Sequence, residues 1–346
     1  MTILLTLLGV WCGPDAQPSF KTETLADGVY AFLRQEPFGL ANHANSVLIL
    51  QSDGAILVDT AFTEAATREL VETIRGLTDK PITVFINTHW HDDHSFGNSV
   101  IKKAFPQARL ITQSETAQAL TTTAVANRTQ QVTGGPQALA YFKDLLQNNQ
   151  DFSGNALTDK SRAVLKSTIQ LVETYLQEAK TYTAIPADET VEKTRVLGEG
   201  SNRLELRFLG PAATEGDLLI WMPEHRLLIS GDLLSLPVPS TYKAHLANWS
   251  LILAQLIKME PVTVVPGHGP LCPGTRALEQ QKALFDSVLQ AAMAAKQEGK
   301  NVENALQEIQ LEPQKSELLG KEPIDRFLFD YYFRGPALRS LFPESP

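Results

Sequence analysis

The apolar positions of this chain follow two rhythms that alternate along its length. Gly28–Arg34, Asn45–Leu50 and Ala55–Asp59 are short apolar runs, and the last two, joined through Ser52-Asp53-Gly54, read as a β-hairpin. Over 64–77 the period lengthens, and Leu70, Val71, Ile74 and Leu77 share one helical face. A strand over 82–87, a helix over 97–104 stopped before Pro106, and a strand at Arg109–Thr112 follow. This alternation suits a sheet covered by helices.

Residues 114–185 break the rhythm. They read as a helical insertion with a loop at Thr133-Gly134-Gly135-Pro136. Its clearest helix covers 159–182, capped by Thr158 or Asp159, with Leu165, Ile169, Val172, Leu176 and Ala179 along one face. Such a stripe serves core contact, and a long insertion between scaffold elements can also form a lid or pocket wall. Strands resume at Val191–Leu197, Arg203–Leu209, Asp217–Met222 and Arg226–Ile229. Helical spacing over Ala244–Met259 precedes a strand at Val262–Val265. From 276 the chain is helical again, first over 276–298 with Gly299 as C-cap, then in a tail carrying Phe327, Phe329, Tyr331, Tyr332 and Phe333. That aromatic density predicts a tail that packs on the core.

Chemistry concentrates where four of these strands end. After 82–87 comes Asn87-Thr88-His89-Trp90-His91-Asp92-Asp93-His94-Ser95, with three histidines and two carboxylates between positions 89 and 94. Imidazole and carboxylate are ligands of divalent zinc or iron, and a loop lets neighbouring side chains converge on one point. The other three stretches are Gly210-Pro211-Ala212-Ala213-Thr214-Glu215-Gly216-Asp217, Ser230-Gly231-Asp232 and Pro266-Gly267-His268-Gly269. All four can gather at one edge of the sheets.

Composition narrows the reading. The chain has 346 residues, 43% hydrophobic and 20% charged, which is ordinary for a globular protein with a large core. The formal net charge is −9 and no Lys/Arg run stands out, so the electrostatic footprint of a nucleic-acid binder is missing. Cys12 and Cys272 could form at most one bridge, which excludes a disulfide scaffold. Residues 1–16 combine an apolar stretch with Ala16 as a cleavage point, and predict a secretory signal despite the absence of a leading Lys or Arg. A periplasmic or secreted protein is therefore expected, with a buried N-terminal strand and a cytoplasmic location as the alternative. No other run reaches the ~18 apolar residues of a membrane span.

The four stretches, in this order and spacing over residues 25–275, resemble the metallo-β-lactamase superfamily. The resemblance implies an αββα sandwich over 20–275 with the 114–185 insertion, followed by a helical extension over 276–346. It implies that His89 and His91 hold one metal, that Asp93, His94 and His268 hold a second, and that Asp232 bridges both. Asp59 is implied to support the ligand loop, with Asp93 also orienting the attacking hydroxide. Asp92 is left between solvent exposure and fixing a ligand histidine. One departure stands out: where the family carries a histidine after Gly210, this chain has Ala213. His43, Glu215 and His245 are the side chains that could substitute, although His43 reads as a surface-loop histidine and His225 as solvated. The implied cofactor is Zn2+, one ion held tightly and a second weakly or not at all, with iron or manganese as other fillings. The implied activity is hydrolysis of an ester, thioester, lactone or amide in a small molecule. Ser-Gly-Asp favours the glyoxalase II-like and general hydrolase branch over β-lactams. The alternatives are a β-lactamase-like enzyme and, because of Ala213, a binding or accessory protein on the same fold.

Overall fold

A computed structural model describes residues 19–342. The residues expected to form a secretory signal, 1–16, lie outside this range, as do 343–346 of the expected extension.

The first half builds one mixed sheet. β1 (Phe20–Ala26), β2 (Val29–Arg34), β3 (Ser46–Leu50) and β4 (Ala55–Val58) pair antiparallel in sequence order. After α1 (Glu64–Leu77), β5 (Ile82–Ile86) joins β4 in parallel. α2 (Asp92–Ser95) and α3 (Asn98–Ala104) lead to β6 (Arg109–Gln113), parallel to β5. Then come α4 (Ser114–Thr121), α5 (Thr123–Gln147) and α6 (Asp159–Glu178), before β7 (Glu189–Val191) closes the seven-stranded sheet. The second sheet has six strands: β8 (Thr194–Leu197), β9 (Leu204–Phe208), β10 (Leu218–Met222), β11 (Leu227–Ser235), β12 (Thr263–His268) and β13 (Cys272–Pro273). α7 (Leu246–Lys258) connects β11 to its parallel partner β12. α8 (Arg276–Gln297), α9 (Val302–Glu308), α10 (Glu312–Leu318), α11 (Pro323–Phe329), a π-helical turn at Asp330–Arg334 and α12 (Gly335–Leu341) complete the described chain.

Period-two alternation sends each strand's side chains into two different cores. Val47, Ile49, Val84 and Ile86 meet Leu206, Leu218, Ile220 and Val265 between the sheets. From the same strands, Leu48 and Phe85 point the other way, against Leu70, Ile74 and Ile101 of α1 and α3. On the far side, Leu219 and Trp221 of β10 pack under Trp249, Leu253 and Phe285 of α7 and α8, with Phe329 and Phe333 from the tail. The result is the expected αββα sandwich. α1 begins where expected because the Thr63 side chain accepts the Ala66 N–H, and Leu70, Val71 and Ile74 are buried.

Several local expectations are corrected. Thr133-Gly134-Gly135-Pro136 is not a loop: it lies inside α5. A Cβ on Gly135 would sit 2.7 Å from Cδ2 of Leu176, so the glycine is where α6 presses closest, and this packing carries the helix through Pro136. The single strand expected at Val191–Leu197 is two. β7 ends at Val191 in the first sheet and β8 begins at Thr194 in the second, with Glu192-Lys193 crossing between layers. The α6 helix ends at Glu178 and gives way to a 3-10 turn over Ala179–Thr181. β1 and β13 were not legible in the hydrophobic pattern, since β1 is largely exposed and β13 has two residues.

Candidate metal centre

The ligand loop begins where β5 stops. Asn87 ties it down, its amide donating to the His94 carbonyl at 3.0 Å and exchanging hydrogen bonds with Asn98. The short α2 turn then sends Asp93 and His94 inward, with His91 at its N-cap. Asp59, one residue beyond β4, reaches across. Its Oδ1 accepts the Thr88 N–H at 2.8 Å, and its Oδ2 lies 2.8 Å from both Thr88 Oγ1 and His94 Nδ1. A carboxylate on Nδ1 leaves Nε2 as the donor atom facing the site. His94 Nε2 is buried and has no hydrogen-bond partner.

The other stretches arrive from the second sheet. A Cβ on Gly267 would fall 2.1 Å from Asp232 Oδ1, so only glycine allows β11 and β12 to approach this closely. Ser235 Oγ donates to Asp232 Oδ1 at 2.8 Å, and His268 Nδ1 lies 3.1 Å from the backbone carbonyl of His43. Asn45 laces the sheets together by donating to the carbonyls of Pro266 and Gly269.

Two donor clusters result, one of His89, His91 and Asp232, the other of Asp93, His94 and His268. His89 Nε2 is 2.9 Å from His91 Nδ1 and 3.8 Å from Asp232 Oδ2. His268 Nε2 is 3.0 Å from Asp93 Oδ2. The other oxygen of Asp232, Oδ1, lies 3.3 Å from His94 Nε2 and 3.5 Å from His268 Nε2. A tetrahedral shell with bonds of ~2.1 Å separates its donors by about 3.4 Å. The spacings fit that shell, and Asp232 offers one oxygen to each cluster. Protonation fits as well. Burial, and next the neighbouring imidazoles His94 and His91, hold the His89 imidazole well below the ordinary histidine range. Burial works against the charge on Asp232, but His268, His94 and His89 outweigh it and keep the carboxylate ionised. Asp93 is likewise held down, with His94 and His268 overcoming burial. Burial would depress His94, yet Asp59, Asp232 and Asp93 raise it well above its usual value, marking a pocket of negative field built for a cation. The arrangement suits one or two divalent ions.

The sequence-derived candidates fare differently. The six proposed ligands converge. Asp59 sits behind His94. Glu215 and His245 face each other at 3.8 Å on the surface and join neither cluster. His43 is not a surface histidine: it is 3% exposed, its Nδ1 accepts the Phe62 N–H, and it serves the site through its carbonyl. His225 is half-buried and its Nε2 is 3.1 Å from Asn202 Oδ1. Asp92 neither points to solvent nor touches a ligand histidine. Its carboxylate pairs with Arg128 of α5 and accepts the Tyr175 hydroxyl of α6 at 2.5 Å. Ala213 is buried and borders, with His91, Trp90 and Thr214, a hollow of about 270 Å³. Thr88, Asn45, Arg128 and Tyr175 were not legible as site residues, because each acts on a partner distant in sequence, and Ser235 had no motif to mark it beside Asp232. The glycines of the Ser-Gly-Asp and Pro-Gly-His-Gly stretches were the available signal of close approach.

The sequence profile of the Metallo-beta-lactamase superfamily matches residues 40–268. The chain belongs to this superfamily. Among curated proteins, the linear primary-alkylsulfatase of Pseudomonas sp. (strain ATCC 19151) is 25% identical over 67% of this chain and 43% of its own length. The metallo-beta-lactamase type 2 of Elizabethkingia meningoseptica is 27% identical over 30% of this chain and 41% of its own. The chain thus spans under half the length of these relatives. Among solved structures, a metallo-beta-lactamase from Pontibacter korlensis superposes with a TM-score of 0.53 at 18% identity, covering 77% of this chain and 99% of that one. The metallo-beta-lactamase FIM-1 from Pseudomonas aeruginosa, in its mono-zinc form, gives 0.52 at 18%, with 78% and 98% covered. At that identity the likeness is one of fold. Among the described residues, no helix is long and apolar enough to cross a membrane.

Proposed function

We propose that this superfamily member is a metal-dependent hydrolase of small-molecule esters, thioesters or lactones. The observation that carries the reading is Asp232, whose two oxygens face two separate sets of donors. Divalent ions bound there lower the pKa of water toward ~7 and polarise the scissile carbonyl or sulfuryl oxygen. The chain's own groups do the rest. Asp59 and the His43 carbonyl aim His94 and His268. Asp93, ionised and the most exposed of the donor carboxylates, borders a hollow of about 210 Å³ with His91, Asp232 and His268. There it can orient an entering water. Water adds to the scissile centre, the bond to the leaving oxygen or sulfur breaks, and the leaving group departs with a proton. A sulfate ester is the second reading, favoured by the similarity to the linear primary-alkylsulfatase over two thirds of the chain.

Chromogenic esters, thioesters, lactones, aryl sulfates and a cephalosporin, assayed on metal-loaded protein and on Asp93→Ala, test this. Turnover of an ester-class substrate by the parent, lost at least about a hundredfold in the variant, is expected. Parent-like turnover by Asp93→Ala would overturn the assignment.

Zn2+ is the proposed filling, with iron or manganese chemically admissible at the same donors. Asp93, His94, Asp232 and His268 offer four donors, whereas His89, His91 and Asp232 offer three with Ala213 beside them. We infer one tightly held ion and a second that is weak or lost on dialysis. Metal content by mass spectrometry should read near one per chain in the parent and rise toward two in Ala213→His. Two ions retained by the dialysed parent would refute this. Export to the periplasm is proposed on the apolar residues 1–16, and N-terminal sequencing of protein from whole cells tests it.

A further inference from the structure

We propose that the helical insertion and the C-terminal helices form a channel for a linear apolar chain, so that the ester cleaved at the metal centre carries an alkyl or acyl tail. The proposal deepens the hydrolase reading and rests on it. Beside the metal hollow lies a cavity of about 780 Å³. This is ample for one small-molecule ligand. α5 contributes Gly134, Ala138 and Phe142, α6 contributes Val172 and Leu176, and the far wall is Phe327 of α11. No acid, amine, guanidinium or imidazole lines it, in contrast to the neighbouring hollow with its His91, Asp93, Asp232 and His268.

Leu40, Ala41, Phe62 and Gln131 border both spaces, so the two are adjacent. A chain lying in the larger space places its polar end at the donors. Aromatic pairs build the walls. Phe62 stacks on Tyr175 at 4.6 Å, and Phe152 on Phe327 at 4.0 Å. Tyr141 and Tyr331 are 49% and 53% exposed at the rim. Apolar surface left open to water beside a reactive centre marks a site for an apolar ligand. The missing cations argue against a phosphorylated or polyanionic tail.

Gly134 supplies the test. No atom lies within 4 Å of the position its Cβ would take, although the residue borders the cavity in mid-helix. Gly134→Leu therefore meets no clash at its Cβ and is the variant chosen to narrow the channel, and leucine is the better helix former. Two series are assayed on the full chain: p-nitrophenyl carboxylates from acetate to decanoate, and alkyl sulfates from butyl to dodecyl. Whichever series is hydrolysed identifies the ester. KM in that series should fall at least about tenfold with chain length, since each buried methylene is worth about fourfold. Gly134→Leu should raise KM for the longest member about tenfold, leave the shortest unchanged, and melt no lower than the parent. A KM independent of chain length, or equal losses at both ends, would overturn the channel. If neither series is hydrolysed, the carboxylic- and sulfate-ester readings fail by themselves, and binding of dansyl-labelled undecanoate decides the channel. Binding weakened by Gly134→Leu supports it, and no binding overturns it.

Discussion

Asp59, just beyond β4, has φ at +56°, a conformation Asp tolerates better than most side chains. The turn brings one carboxylate onto the Thr88 backbone, the Thr88 hydroxyl and His94 Nδ1. It does not reach the donor clusters; it sets the direction of one that does. Asp59→Asn keeps the size but presents an amide N–H₂ where an acceptor is needed. The expected result is a metal affinity weakened ~10–100-fold, read by competition with a chelator, with a smaller change in melting temperature. Unchanged metal retention would show that His94 is aimed by packing alone. Asp92, next in chain to a ligand, has a separate role, which its neighbours in sequence do not reveal.

That role lies at the scale of elements. Asp92 starts α2, Arg128 belongs to α5 and Tyr175 to α6, so one buried carboxylate fastens the insertion to the ligand loop. Arg128 also lies over the Tyr182 ring at 3.8 Å, and both Phe96 and Tyr182 take part in the stack around it. Arg128→Ala leaves Asp92 buried without its cation, and removing one partner of such a pair costs about 3–5 kcal/mol. Denaturant unfolding should show a loss of that size, and Arg128→Lys should recover only part of it, lacking the planar fork. A loss under about 1 kcal/mol would mean that the Tyr175 hydroxyl and water suffice.

For the whole molecule, the two sheets matter because each carries part of the donor set. The first supplies His89, His91, Asp93 and His94; the second supplies Asp232 and His268. The outer face of the second sheet is covered by α7 together with α8 and the tail helices, where Trp249 meets Phe285 at 4.8 Å and Phe285 meets Phe333 at 5.7 Å. Ending the chain after Thr275 would leave α7 in place but strip α8 and the tail helices from this face. The expected product is insoluble, or binds an apolar dye without a cooperative melt, because the lost burial exceeds the ~5–15 kcal/mol by which domains are stable. A cooperative melt within about 5 °C of the full chain would contradict this.

Local pattern was enough for the strands of period two and for α1, α7 and α8, and it marked the stretches that carry the candidate donors. Ligands clustered within six residues, and glycines where strands close in, are properties of neighbouring positions. The order of the four stretches then pointed to the fold. Tertiary structure alone decided which oxygen of Asp232 faces which cluster, that β7 and β8 belong to different sheets, that Gly134-Gly135-Pro136 continues a helix, and that His43 is buried. Each of these depends on what packs opposite: Leu176 against Gly135, Asp232 against Gly267, Arg128 on Asp92. The apolar channel is of the same kind, since Phe62, Phe142, Leu176 and Phe327 come from four segments that share a surface only once the sandwich has closed.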